Sequence, residues 1–122
     1  MTTSAQIRWL NSQPLQIQLA AVEKVWQGRA DKMVLIADQL SAVGKSHQAM
    51  DVVVDFADRA ACSCERVNKD SEFGSFARER IRRIAGNAIV KTAVVSHVAT
   101  GATNGLDTEA LIQVCDRLGV SI

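Results

Sequence analysis

Tyrosine is absent from the 122 residues, proline occurs once, and aromatic side chains make up only 4% of the chain. So little proline, with seven glycines, excludes a collagen-like or low-complexity chain. So few aromatics disfavour a base-stacking platform or an aromatic ligand cage. Cysteine is scarce and odd in number, at three. Cys62 and Cys64 stand two apart, and at about 200° of separation on a helix they do not pair. No disulfide framework follows, which points to a reducing cytoplasm. Long apolar runs are missing too. The longest, Met33 to Ala37, falls far short of the ~20 residues that cross a bilayer. Met1 to Leu10 lacks the basic-then-apolar order of a secretory leader. No repeat period or low-complexity tract divides the chain, so residues 1–122 read as one domain.

What is present is apolar and helical. Hydrophobic residues make up 48% of the chain and the net charge is +1, a balance that argues against disorder. Leu15, Leu19, Val22 and Trp26 recur at helical spacing after Pro14, and Gly28 ends or kinks that helix. A second helix is expected from about Arg29 to Val43, stopped by Gly44, with Ser46 as the next cap. The third, from about Ser46 to Asn68, carries Asp51, Asp55, Asp58, Cys62 and Glu65 on one side. Opposite lie Ala49, Val53, Phe56, Ala60 and Cys64, and Met50, Val54, Ala57 and Ala61 widen the apolar face to about 160°, wide enough for two neighbours. Asp70-Ser71 caps a fourth helix from about Glu72 to Ala99. Its second half, Ile89, Val90, Val94, Val95 and Val98, is apolar all round. A strand over 89–98 is the competing reading. A last helix follows Asp107, with Leu111, Val114, Cys115 and Leu118 inward, and Gly119 ends it. The expected fold is an all-α antiparallel bundle of about five helices, with the third and fourth forming a long hairpin.

Little in the pattern carries chemistry. His47 and His97 are the only histidines and stand in no catalytic motif. Cys62 and Cys64 have no second Cys/His pair with which to hold zinc. Gly44-Lys45-Ser46 lacks the earlier glycine and preceding strand of a phosphate loop. The row Asp51, Asp55, Asp58 reads as a solvated helix face, with Asp55–Arg59 and Glu65–Lys69 as i,i+4 pairs. We therefore expect no enzyme, no cofactor and no metal. Cys62 reads as an exposed thiol with no fixed cation beside it.

Residues 59–91 hold eight basic and four acidic side chains, a net of +4 centred on Arg78, Arg80, Arg82 and Arg83. The four spread around about 200° of the helix, which fits a solvated or protein-binding face better than a phosphate stripe. Glu79 stands ready to pair with Arg83. Apolar surface exceeding the needs of one small bundle points to a homodimer. The interface candidates are Ile89, Val90, Val94, Val98, Met50 and Val54, and Trp9, Arg78, Arg82 and Arg83 are candidates for a second partner. The expected function is a small regulator that binds and inhibits or escorts another protein. The alternative is a nucleic-acid-binding regulator using the arginine-rich face.

Overall fold

The computed structural model describes residues 13–67, 70–95 and 108–121, together with Ala5. Among them are four helices: α1 (Leu15–Ala42), α2 (Ser46–Arg66), α3 (Glu72–Lys91) and α4 (Thr108–Leu118). Residues 93–95 are helical as well, and no strand occurs among the described residues. The fold is all-α, as the periodicity implied.

The first correction is at Gly28. The two helices expected on either side of it are one helix of 28 residues. Leu19, Trp26, Ala30, Met33 and Ala37 are buried along a single stripe that keeps its phase straight through the glycine. A glycine inside a helix costs about 1 kcal/mol relative to alanine. Losing the register of that stripe would cost more, since it carries a tryptophan and a methionine. Pro14 precedes the helix, and its carbonyl accepts from the amides of Ile17 and Gln18 at 3.0 and 3.1 Å.

Gly44 does end the helix. At φ +78° it lets the Lys45 amide reach the Leu40 carbonyl at 2.9 Å and its own amide reach Ser41 at 3.1 Å, a Schellman closure. Gly119 repeats the device after α4 at φ +84°, with the Val120 amide on Cys115 and its own on Asp116. The expected Ser46 cap is displaced by one residue. Lys45 occupies the cap position, Ser46 is already helical, and no side chain caps this end. Ser71 does cap α3, accepting from the Gly74 amide at 2.9 Å.

α2 sits at the centre and packs against α1, α3 and α4. Its wide apolar face therefore has three neighbours within the chain rather than two. Ala49, Ala57 and Ala60 are fully buried there, and their small side chains let the helices approach closely. Trp26 of α1 meets Phe56 of α2 edge-on, with centroids 6.1 Å apart.

The second correction is at the end of α3. The helix expected to reach Ala99 stops at Lys91. The Thr92 hydroxyl donates to the Ile89 carbonyl at 2.7 Å, and the backbone turns extended, with ψ 147°. The Ala93 amide then finds Asp38 Oδ1 of α1 at 2.9 Å instead of a carbonyl four residues back. Asp38 thus supplies from another helix the cap for the helical residues 93–95.

Candidate interaction surface

The apolar residues expected to mark an interface are mostly spent inside the chain. Ile89 is 0% exposed, Val94 1% and Met50 2%, all within one core cluster. Val54 is half-buried against that cluster. Val90 alone is exposed, on α3, while Val98 and Trp9 lie outside the described residues. Sequence periodicity measured how apolar those segments are. It did not reveal that α1, α2 and α4 of the same chain cover them.

Most of the unspent apolar surface among the described residues is on α1, with Phe76 and Val90 exposed on α3 and Ile112 on α4. Of the large hydrophobic side chains left exposed, Ile17, Val25 and Leu35 lie on α1 and Val43 at its C-cap. Leu35 is 59% exposed and Val43 68%. At about 100° per residue the four fall within roughly 80° of one another, opposite the buried stripe. Ala21, Gly28, Lys32 and Gln39 lie between them on the same side. Opposite its buried stripe α1 thus carries a row of exposed apolar side chains, interrupted by Lys32 and Gln39. The spacing 17, 21, 25, 28, 32, 35 is legible in the sequence. Ending the helix at Gly28 cuts that stripe in two and hides it.

Three of the four arginines are occupied. Arg82 Nε donates to the Leu118 carbonyl at 2.7 Å, placing a cation where the α4 dipole is negative. A Cβ on Gly119 would come within 3.0 Å of that nitrogen, so the glycine also makes room for the brace. Arg80 and Arg83 converge on Glu23 of α1 at 3.2 and 3.4 Å, tying α3 to α1. Arg83 therefore pairs with Glu23 in place of the expected Glu79. Arg80 also lies over the Phe76 ring, 5.5 Å from its centroid. Arg78 is half-buried, its Nε is buried without a partner, and its carbonyl accepts from the Cys64 thiol at 3.8 Å. Arg80, Arg82 and Arg83 are thus internal struts, and the cluster does not form the free basic stripe that phosphate binding needs. The sequence hid this because Glu23 lies 57 residues from Arg80.

On the acidic side of α2, Asp55 pairs with Arg59 at 3.0 Å as the spacing implied. Glu65 takes Arg117 of α4 at 3.0 Å, and Asp58 takes the same guanidinium at 2.7 Å. Arg117 NH2 also lies 3.4 Å from Cys62 Sγ, so this thiol does have a cation beside it. The hydrogen bonds that Arg117 donates to Glu65, Asp58 and Cys62 hold its pKa above its usual value. No group of three His, Cys, Asp or Glu gathers to hold a metal ion among the described residues. His47 is exposed and His97 lies outside them. No helix among the described residues is long and apolar enough to cross a membrane.

Cys64 and Cys115 are buried thiols. Burial raises both, and Cys115 is pushed up to about 11, with the Asp116 charge adding to the effect. The folded chain keeps this proton over a range in which the unfolded thiol, ordinarily near 9, loses it. Fewer protons on the unfolded state means that stability falls as pH rises from 9 to 11. With no tyrosine to titrate there, urea unfolding across this window should show a slope that flattens in Cys115→Ala. An unchanged slope would remove Cys115 as its source.

No protein-family model matches this chain, and neither the curated proteins nor the solved structures include a match.

Proposed function

We propose that this chain is a small helical interaction module that works as a homodimer and regulates a partner protein by inhibiting or escorting it. One observation carries the reading: the longest of the described helices exposes Ile17, Val25 and Leu35, with Val43 at its C-cap, on the side opposite the stripe it buries. A second copy is the commonest cover for such a surface in a small helical protein. The occupied arginines favour protein over nucleic acid as the partner. Three free cysteines suit a reducing compartment, and the cytoplasm is part of the proposal.

An antiparallel arrangement of neighbouring helices also belongs to this reading. Only Val43 to Lys45 separate α1 from α2. Cys64 and Arg78 meet across the α2–α3 connection, 14 residues apart in sequence. Both features fit chain reversal between helices, and α2 with α3 would form the hairpin.

The test is mass in solution with Leu35→Asp beside the wild type. We expect the wild type to be dimeric. We expect the variant to be monomeric at the same concentration, its helicity and melting temperature kept, because Leu35 belongs to no core contact set. A carboxylate on an apolar seam without a partner weakens association by at least about tenfold. A wild type that stays monomeric at every concentration overturns the proposal.

A further inference from the structure

We propose that the open groove between α1 and α2 docks an acidic, amphipathic segment of the partner protein, with its apolar side chains in the groove and its carboxylates on a cationic rim. The inference rests on reading the chain as a module that binds another protein, and not on its dimerisation. The groove holds about 660 Å³. Buried Trp26, Met33 and Phe56 close its bottom, and half-buried Ile36 and Val52 offer accessible apolar surface beside them. Arg29 and Lys32 of α1 and Arg59 and Arg66 of α2 line it too, and all four are exposed. Two acids line it, Asp55 and Asp58, so the lining carries a net charge of +2. Both acids are already taken, Asp55 by Arg59 at 3.0 Å and Asp58 by Arg117 at 2.7 Å. Arg29, Lys32 and Arg66 have no ion-pair partner among the described residues. The remaining acids of α1 and α2 do not relieve them. Glu65 is held by Arg117, and Glu23, Asp31 and Asp38 line the groove on the other side of α1. Asp51 is exposed and lines neither groove.

Charge sets this groove apart from the one between α1 and α3. There Glu23, Asp31 and Asp38 balance Lys24, Arg83 and Lys91, and the net is zero. Arg83 is spent on Glu23, and Asp38 on the Ala93 amide. Unpaired cations around an apolar strip select a ligand that brings both carboxylates and apolar side chains. The charges steer and orient it, while burial of its apolar groups against Ile36, Val52 and the aliphatic stems of the rim holds it. A second copy laid groove to groove would set cation against cation. Nucleic acid fits less well than an acidic segment, because a base needs an exposed aromatic face to stack on. Trp26 is 5% exposed and Phe56 7%, and Arg29 lies over the tryptophan ring, 5.0 Å from its centroid.

A phage-displayed library of random peptides, panned against the full chain, tests the site. The enriched peptides should be acidic, with apolar residues among the carboxylates, and one of them, made synthetically, is the probe for titration. Lys32→Glu together with Arg66→Glu should raise its dissociation constant at least about tenfold. The melting temperature should be kept, because neither side chain forms an ion pair among the described residues. Lys24→Glu together with Lys91→Glu makes the same change of net charge at the α1–α3 groove and should shift the constant by less than about twofold. No enrichment over the bare support, enrichment of neutral or basic peptides, or equal effects of the two double variants overturns the docking site. Poly-glutamate binding as tightly as the selected peptide also overturns it, since the apolar strip then contributes nothing. Oligothymidylate that displaces the peptide at equal or lower concentration assigns the groove to nucleic acid and overturns it too. Mass in solution keeps the two proposals apart. Leu35 lines the other groove, so a monomeric Leu35→Asp variant should bind the peptide as the wild type does. A wild type that is monomeric yet binds the peptide overturns the homodimer reading alone, and a dimer that binds none overturns the docking site alone.

Discussion

Val94→Asp is expected to unfold the domain rather than to separate two copies of it. Val94 is 1% exposed and belongs to the same core cluster as Ile89 and Leu111. It stands in the helical residues 93–95, whose first amide is held by Asp38. A carboxylate there would be buried among the apolar side chains of that cluster. Burying such a charge costs several kcal/mol even after the structure relaxes. We therefore expect a loss of more than about 4 kcal/mol, a large share of the ~5–15 kcal/mol that holds a domain of this size. The sign of its pH dependence follows. Burial raises the pKa of the new carboxyl above its unfolded value, so the variant regains stability as pH falls through that raised value and the acid becomes neutral. Circular dichroism melts from neutral to mildly acidic pH read this directly. A variant with a wild-type melt and a halved solution mass would instead place Val94 in an interface.

That residue also shows what the sequence discloses and where it stops. Helical period identified α2, the body of α3 and the inward face of α4, because each buries one stripe at regular spacing. Local stop signals worked where the physics is local. Gly44 and Gly119 adopt positive φ and close their helices. Ser71 caps through its own hydroxyl. The errors came where a distant residue decides. Gly28 stays helical because Trp26 and Met33 share a buried stripe against the rest of the chain. α3 ends at Lys91 because Asp38, 55 residues earlier, offers an acceptor to Ala93. Arg80 and Arg83 face Glu23, and Arg82 faces the end of α4. No period or spacing encodes such pairings. The candidate surface was legible only as excess apolar character, most of which the fold spends inside the chain. Its location was not, because that depends on which faces the fold covers.

Leu111→Ala is expected to cost about 2–5 kcal/mol, and to loosen α4 before the other helices. Leu111 is 0% exposed and leads the inward row that continues through Val114, Cys115 and Leu118. That row packs on α2, and few other attachments hold α4 in place. They are the Arg117 pairs to Asp58 and Glu65, the Arg82 bond to the Leu118 carbonyl, and Val120 against Gly86. The Arg117 pairs are solvent-exposed and screened, so they hold α4 only weakly. The apolar row is therefore the main anchor, and removing its first member leaves a cavity that an 11-residue helix has few other contacts to offset. Hydrogen exchange should show amides of α4 losing protection by more than those of α1 and α2, the pattern of a sub-global opening. Equal loss in all four helices would mean that α4 opens only with the whole domain. α4 makes no extensive contact with α1, so the dimer proposed through α1 should keep its mass in this variant while α4 exchanges faster. A parallel loss of mass would couple α4 to the interface and place the contact between copies beyond α1.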